Sequence, residues 1–155
     1  PWFADTLFVI VADHCASAAG KTKLPVAGYH IPMIMYAPQL LKPGKYTDLV
    51  SQIDIAPTLI DVLGVEGDSH FFGTSIFEQG KNFQRRAFIS NYQELGYLTQ
   101  GKLTVLSPKQ KVETFNIDKD GTATPTEVNT GFKDQAIAFY QTTFQAFKSN
   151  ALKYK

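Results

Sequence analysis

The residues best suited to chemistry are an adjacent carboxylate and imidazole, Asp13 and His14, which follow an apolar run. That run, Thr6 to Ala12, is rich in β-branched residues and does not alternate, which is typical of a strand covered on both faces in a parallel α/β sheet. Ligands of such sheets bind beyond the carboxyl ends of the strands. One carboxylate and one imidazole suit Zn²⁺ or Mn²⁺. Because two donors do not complete a site, an Asp that caps the next turn beside a packed His remains an open alternative.

Two further elements are expected to lie beside this strand end. Residues Ile31 to Ala37 predict a second buried strand. Residues Ser51 to Val62 predict a helix that ends at Gly64, and Pro57 indicates either a kink or a later helix start. The helix is expected to bury the apolar positions that recur at three- and four-residue spacing, namely Ile53, Ala56, Leu59, Ile60 and Leu63.

The pattern changes from Arg86 onward. Four short segments separated by turns predict an antiparallel meander: Ala87 to Ser90, Gly96 to Thr99, Lys102 to Leu106 and Val112 to Ile117. A closing helix is expected over Phe132 to Ser149, with an aromatic stripe in the core formed by Phe139, Tyr140, Phe144 and Phe147. We therefore expect one domain portion over residues 1–155, with core strands, the Asp-His loop and a helix in 1–85 and small strands and the last helix in 86–155.

Composition excludes several classes of protein. With 155 residues, 44% of them hydrophobic, the chain is long and apolar enough for a folded core. A net charge of +1 gives no field that would attract nucleic acid, and one Cys excludes an internal disulfide or a Cys-rich zinc site. No stretch reaches the roughly 18 to 20 apolar residues that span a bilayer. Since the chain starts Pro1-Trp2-Phe3 almost directly on a strand, we expect it to be the C-terminal portion of a larger protein.

A second acidic motif invites a calcium interpretation. Asn116, Asp118, Asp120, Gly121 and Glu127 fit the spacing of an EF-hand loop. An EF-hand requires flanking helices, whereas a predicted strand precedes this segment and Pro125 obstructs an exiting helix. Asp-Gly is also a strong hairpin signal, so a turn is favoured over a Ca²⁺ site.

The order of the segments carries a family resemblance. The stretch LFVIVADHCASAAGKTKLPVAGYHIPMIMYAP resembles the metal-binding segment of the alkaline phosphatase/sulfatase superfamily, and SQIDIAPTLIDVLGV followed by FFGTSIF resembles its helix and Phe-Gly segment. The branch it most resembles is the lipoteichoic acid synthase-like phosphoglycerol transferases and their sulfatase-like relatives. The resemblance covers residues 4–77 and continues more weakly to residue 110. It implies the C-terminal part of an alkaline phosphatase-like three-layer α/β sandwich, with a small antiparallel sheet and a C-terminal helix.

The resemblance also implies a catalytic metal. Asp13 and His14 would be two ligands of a divalent ion, Mn²⁺ or Zn²⁺, with Ca²⁺ or Mg²⁺ as alternatives. The nucleophile, a Thr in the phosphotransferases or a modified Cys in sulfatases, would lie N-terminal to this chain together with the remaining ligands. Cys15 lacks the sulfatase nucleophile motif and is interpreted as a small loop residue or an extra soft ligand. Since His14 must be neutral to ligate, acid pH is expected to weaken metal binding.

Two further residues are candidates for substrate binding. Lys21 lies roughly where sulfatases place a substrate-contacting Lys, and its ammonium suits a phosphate or sulfate oxygen, although a solvated loop Lys is the alternative. His30 precedes the second strand and either binds the head group in the same cleft or shields the strand edge.

The function implied is transfer of a phosphoglycerol- or phosphoethanolamine-type group from phospholipid head groups. The resemblance places such enzymes at the bacterial cytoplasmic membrane, with the catalytic domain facing the periplasm or the outside and with N-terminal transmembrane helices absent from this chain. Its partners would be the phospholipid or a phosphate or sulfate ester, and the N-terminal remainder of the chain, with no nucleic acid. A sulfatase or phosphatase, and a non-catalytic regulatory domain with the same fold, are the alternatives. By itself the chain is expected to be inactive.

Overall fold

A computed structural model describes residues 2–15, 24–78 and 84–153. The fold is mixed α/β, with antiparallel sheets and a C-terminal helix. The strands are β1 (Phe8–Val11), β2 (Met33–Tyr36), β3 (Arg86–Ser90), β4 (Leu95–Thr99), β5 (Lys102–Ser107), β6 (Lys111–Ile117) and β7 (Ala123–Thr126). The α-helices are α1 (Ile55–Val62) and α2 (Thr130–Lys148), and the 3-10 helices are Trp2–Asp5, Val26–Tyr29, Gln52–Asp54 and Pro108–Gln110. Over these described ranges, no helix is both long and apolar enough to cross a membrane.

Strands β1 and β2 form a two-stranded sheet whose direction differs from the expectation. The strands pair antiparallel, with Val11 opposite Met33, where burial on both faces of a parallel sheet was predicted. One face is largely exposed, as Ile10 and Ile34 show with 63% and 59% of their surfaces accessible. An apolar run without alternation predicts that both faces of a strand need cover, but it carries no information on the direction of the neighbouring strand.

Helix α1 begins later than the apolar pattern predicts. The 3-10 turn Gln52–Asp54 precedes it, and Pro57 lies in the first turn, where its missing N–H has no intrahelical acceptor to lose. Of the two alternatives, the later start is therefore the one observed. Gly64 ends the helix with φ 63°, a left-handed conformation that glycine adopts at little cost.

The buried side of α1 is polar, which corrects the predicted burial of its apolar side. Asp54 and Thr58 are buried, at 2% and 0% exposure, whereas Ile53, Ile60 and Leu63 are 40%, 37% and 52% exposed. Thr58 Oγ1 donates to the Asp54 carbonyl and accepts from the Ile76 N–H, at 2.6 and 3.0 Å. The amphipathic pattern identified the helix, but it did not identify the side of the helix that is buried against the rest of this chain.

Strands β3 to β7 form a five-stranded antiparallel meander in sequence order. The four predicted strands are confirmed, and each differs from the observed strand by one residue at one end. The fifth, β7, was not predicted because Pro125 lies inside it. Proline is tolerated in β7 because that strand is at the edge of the sheet, where an N–H can be dispensed with. Between β6 and β7 the chain turns at Gly121, whose φ is 84° and whose N–H donates to the Asp118 carbonyl at 2.9 Å, so the hairpin interpretation of the acidic motif is confirmed.

Both faces of the meander are covered. On one face a buried cluster joins the segment after residue 24 to the sheet: Leu24, Ala87, Leu98, Leu103 and Val105. On the other face α2 packs through aromatic rings, since Phe88 lies 5.1 Å from Phe139 and 5.7 Å from Tyr140 between ring centroids. The structure therefore has a layer of helix, a layer of sheet and a layer of N-terminal segment.

Helix α2 begins at the Asn129 cap, whose side chain accepts the Phe132 N–H at 2.9 Å. Its predicted aromatic stripe divides into two parts. Phe139 and Tyr140 pack on the sheet, but Phe144 and Phe147 are 58% and 73% exposed. The prediction that all four rings belong to the core is therefore wrong for the last two, because α2 contacts the sheet through Phe139 and Tyr140 and leaves the later rings in solvent.

Candidate metal site

The loop that follows β1 holds the Asp13 carboxylate and the His14 imidazole side by side. Asp13 Oδ1 accepts the backbone N–H of His14 at 2.9 Å. The second oxygen, Oδ2, lies 3.7 Å from His14 Nε2. Both side chains are solvent-accessible, at 87% for Asp13 and 66% for His14. One oxygen thus has the local turn-capping role, while the other faces the imidazole.

The other imidazole nitrogen determines which tautomer His14 adopts. Nδ1 lies 2.9 Å from the carbonyl oxygen of Cys15. Because a carbonyl can only accept a hydrogen bond, Nδ1 carries the proton. In the neutral ring, Nε2 then has the free lone pair and faces Asp13 Oδ2. A backbone carbonyl that orients a ligating His in this way is a common outer-shell arrangement in metal sites.

The spacing of the two donors fits a shared divalent ion. Two ligands at about 2.1 Å from a tetrahedral ion lie about 3.4 Å apart, and the observed separation is 3.7 Å. A small rotation of either exposed side chain closes the difference. One anionic oxygen and one imidazole nitrogen are also the donor types that Zn²⁺ and Mn²⁺ accept. The residues present therefore fit such an ion as two of its ligands.

The pair does not form a complete site within the described part of the chain. Among residues 2–15, 24–78 and 84–153, no group of three or more His, Cys, Asp or Glu side chains is placed to hold a metal. Cys15 is buried at 9% exposure. Further ligands, if this is a four-coordinate site, have to come from elsewhere.

The backbone under the pair is held by Gln52, a residue that was not singled out from the sequence. Its Nε2 donates to the carbonyl oxygens of Ala12 and Asp13, at 3.0 and 3.1 Å. Gln52 is about forty residues away along the chain and reaches the loop from the 3-10 turn before α1. An isolated Gln at a helix start carries no sequence signal of its own, because the contact depends on how distant parts of the chain fold together.

That 3-10 turn is fixed by a buried ion pair between Asp54 and Arg86. Arg86 Nη1 lies 3.0 Å from both carboxylate oxygens, and the two side chains are only 3% and 6% exposed. The carboxylate also accepts the backbone N–H groups of Ser51 and Thr74, each at 3.0 Å. Arg86 Nη2 donates in addition to the Phe72 carbonyl at 3.2 Å. The buried carboxylate thus accepts four hydrogen bonds, and the guanidinium donates three.

The sequence offered a partial signal for this ion pair. Asp54 lies three residues after Ser51, the spacing of a helix capping box, which indicates a local role for this carboxylate. Its charged partner on β3, however, lies 32 residues away. Long-range charge pairs of this kind cannot be identified from spacing, because any of the 15 Lys and Arg residues is a possible partner.

The two predicted substrate-binding residues have different outcomes. Lys21 lies outside the described residues. His30 is exposed and follows the 3-10 helix Val26–Tyr29, where its N–H donates to the Ala27 carbonyl at 3.3 Å. Since Val11 is opposite Met33, the start of β2 and the end of β1 lie at the same end of the sheet, and His30 precedes β2 by three residues. Its role in substrate binding stays a prediction.

Comparison with known proteins places these features in a family context. A family model described as Sulfatase matches residues 3–65, the part that contains Asp13, His14, Gln52 and Asp54. The structure is similar to the crystal structure of a protein in the alkaline phosphatase superfamily from Vibrio parahaemolyticus, with a TM-score of 0.90 and 31% sequence identity. The match covers 99% of this chain and 38% of the Vibrio chain. This chain therefore has the fold of part of an alkaline phosphatase superfamily protein, and both comparisons support its assignment to that superfamily.

Proposed function

We propose that Asp13 and His14 are two ligands of a divalent metal site that acts on phosphate or sulfate esters. The observation that carries this proposal is the donor pair itself, with His14 Nδ1 bound to a carbonyl and Nε2 3.7 Å from Asp13 Oδ2. The similarity of residues 3–65 to the Sulfatase family model supports it independently.

Each of the two residues has a distinct task in this proposal. Asp13 contributes negative charge that offsets the charge of a cation, and His14 contributes a neutral nitrogen whose orientation the Cys15 carbonyl sets. Exposure of both side chains leaves the site open to ligands from the remainder of the protein and to substrate. A bound divalent ion would supply positive charge next to the ester oxygens. The nucleophile and the other ligands belong, in this proposal, to the N-terminal remainder.

For the reaction we propose transfer of a phosphoglycerol- or phosphoethanolamine-type group from a phospholipid head group. The enzyme would act at the outer face of a bacterial cytoplasmic membrane, anchored by segments outside this chain. The resemblance of residues 4–77 to phosphoglycerol transferases supports this choice. His30, exposed at the same end of the sheet as the metal pair, and Lys21 would bind the anionic head group.

A second candidate is hydrolysis of sulfate or phosphate esters. The description of the matching family model, Sulfatase, favours it. Transfer and hydrolysis differ in the acceptor, an alcohol or water, so the metal pair is compatible with both reactions.

The test compares metal content and activity in the full-length protein. The wild type, the double variant Asp13→Ala/His14→Ala, and a control double variant Asp68→Ala/His70→Ala are purified and analysed by elemental mass spectrometry. The control removes the same two side-chain types from an exposed loop. Release of glycerol phosphate from a phosphatidylglycerol analogue is assayed beside hydrolysis of an aryl sulfate and an aryl phosphate.

We expect stoichiometric Mn²⁺ or Zn²⁺ in the wild type and the control, and loss of both metal and activity in the Asp13/His14 variant. With glycerol added as an alcohol acceptor, recovery of the phosphoglycerol group on that alcohol supports transfer. Free glycerol phosphate identifies the phospholipid head group as the substrate of a hydrolysis, and aryl ester hydrolysis alone supports the second candidate. A folded wild type that binds no divalent ion contradicts the proposal and favours a non-catalytic regulatory domain.

A further inference from the structure

Gln52 contacts the Asp-His loop through two hydrogen bonds to its backbone. Both hydrogen bonds come from one nitrogen, Gln52 Nε2, and end on two consecutive carbonyls, those of Ala12 and Asp13. These carbonyls flank the α-carbon of Asp13, so the amide group holds the peptide that sets where its carboxylate points. Two local hydrogen bonds add to this restraint: Asp13 Oδ1 accepts the His14 N–H, and the Cys15 carbonyl accepts from His14 Nδ1.

The other end of this contact is rigid. Gln52 lies between Ser51 and Asp54, which are 7% and 2% exposed. Asp54 is bound by Arg86 from strand β3 and by the Thr74 N–H. The Gln52 backbone is therefore fixed to the five-stranded sheet, whereas the side chains of Asp13 and His14 project into solvent. The loop takes its position from this anchored turn through the Gln52 amide.

We propose that Gln52 is a positioning residue that preorganises Asp13 and His14 for a divalent ion, an inference that rests on the proposed metal site. Ordering a loop when an ion binds reduces the affinity, because the conformational entropy of each residue has to be given up at that moment. A loop already held by Gln52 has lost that freedom beforehand. Outer-shell contacts in metal sites typically change affinity by 10- to 100-fold when removed, and since this contact acts on backbone we expect a loss of about 10-fold.

Two substitutions separate positioning from a simple charge effect. Gln52→Met keeps the length of the side chain and removes the donor. Gln52→Glu keeps the shape, replaces the donor by an acceptor that repels the two carbonyls, and adds a negative charge near the site. If only the charge at position 52 affected the site, the Glu variant would bind cations more tightly. Positioning by the amide donor predicts weaker binding in both variants. Gln93→Met, in the exposed turn before β4, is the matched control.

The experiment measures Mn²⁺ and Zn²⁺ binding to metal-stripped full-length protein by titration calorimetry. Hydrogen exchange at residues 13–15 of the metal-free protein is measured in parallel, with the urea midpoint as a check on global stability. We expect about 10-fold weaker binding and faster exchange in both Gln52 variants, with Gln93→Met equal to the wild type.

The outcomes distinguish this inference from the proposed function. Stoichiometric binding by the wild type, with unchanged affinity and exchange in Gln52→Met, overturns the positioning role and leaves the metal site in place. Tighter binding by Gln52→Glu also overturns it. A wild type that binds no ion contradicts the metal site itself, and the positioning role with it.

Discussion

Removal of one partner of the buried Asp54–Arg86 ion pair is expected to destabilise the fold more than most single substitutions. Breaking a buried pair leaves an uncompensated charge and typically costs about 3–5 kcal/mol. Arg86→Met keeps part of the packing against the rings of Phe88 and Phe139. We therefore expect it to lower the free energy of unfolding by about 3–5 kcal/mol. Asp54→Ala also leaves the N–H groups of Ser51 and Thr74 without their acceptor, which adds about 1–3 kcal/mol for each group that stays dry. The Asp54 variant should therefore be the less stable of the two.

The assay is urea unfolding followed by far-ultraviolet circular dichroism. The matched control is Lys111→Met, which breaks the ion pair between Lys111 and Glu113. Its N–O distance of 2.9 Å is similar to that of the buried pair, but its side chains are 64% and 39% exposed. Exposed pairs contribute about 0–1 kcal/mol, and salt screens them. Raising the ionic strength should therefore leave the loss caused by Arg86→Met nearly unchanged.

The result that would refute this reasoning is a small difference between the two sites. Suppose that Arg86→Met lowers the free energy of unfolding by no more than Lys111→Met does, and that both variants have the same slope of this free energy against urea concentration. Burial then does not amplify the loss of a partner here. An Asp54→Ala variant as stable as Arg86→Met would refute the argument from the two backbone donors.

Two further predictions test other parts of the fold. Burial raises the pKa of Tyr140 to about 12, while the unfolded chain loses this proton near pH 10, so stability is complete below that pH and falls as the pH rises through this interval. In Tyr140→Phe the urea midpoint should fall less as the pH rises through this interval. Tyr92→Phe, at a 90% exposed position, should show the same fall as the wild type. In Gly73→Ala the new methyl group would collide with the Ile53 carbonyl, so we expect a loss of at least about 1–3 kcal/mol, whereas Gly131→Ala in the first turn of α2 should be neutral or stabilise by up to about 1 kcal/mol. Thermal unfolding of both glycine variants checks this contrast.

Elements with a local signal were predicted from the sequence. The turns of the meander, the strand before Asp13 and the stop at Gly64 all depend on neighbouring residues, and all are present in the structure. Strand β7 and the later start of α1 depend on proline, whose effect changes with its position in an element. The direction of β2 and the polar burial of Thr58 depend on which parts of the chain meet, and no local pattern carries that information.

For the candidate site, the sequence predicted the two donor residues and none of the residues that support them. Asp13 and His14 were identified from their types and their place after a strand, and the structure brings their donor atoms to a spacing that one ion can share. The residues that hold them, Gln52 and beyond it Arg86, were missed because an amide or a guanidinium has many possible partners in a chain of this length. Supporting residues of a site are therefore the part that requires three-dimensional information.

The sequential order of the meander has a consequence for how the protein is made. Each strand from β3 to β7 pairs with its neighbour along the chain, so these pairings have short loops to close and form readily. The N-terminal strands depend on longer-range contacts, including the link from Asp54 to Arg86. Synthesis delivers the segments in the opposite order, because β1 and β2, whose contacts are long-range and slow to form, leave the ribosome before the meander. We therefore expect the apolar strands β1 and β2 to stay unpacked until the meander has been synthesised and has folded. During this time the nascent chain has most need of a chaperone.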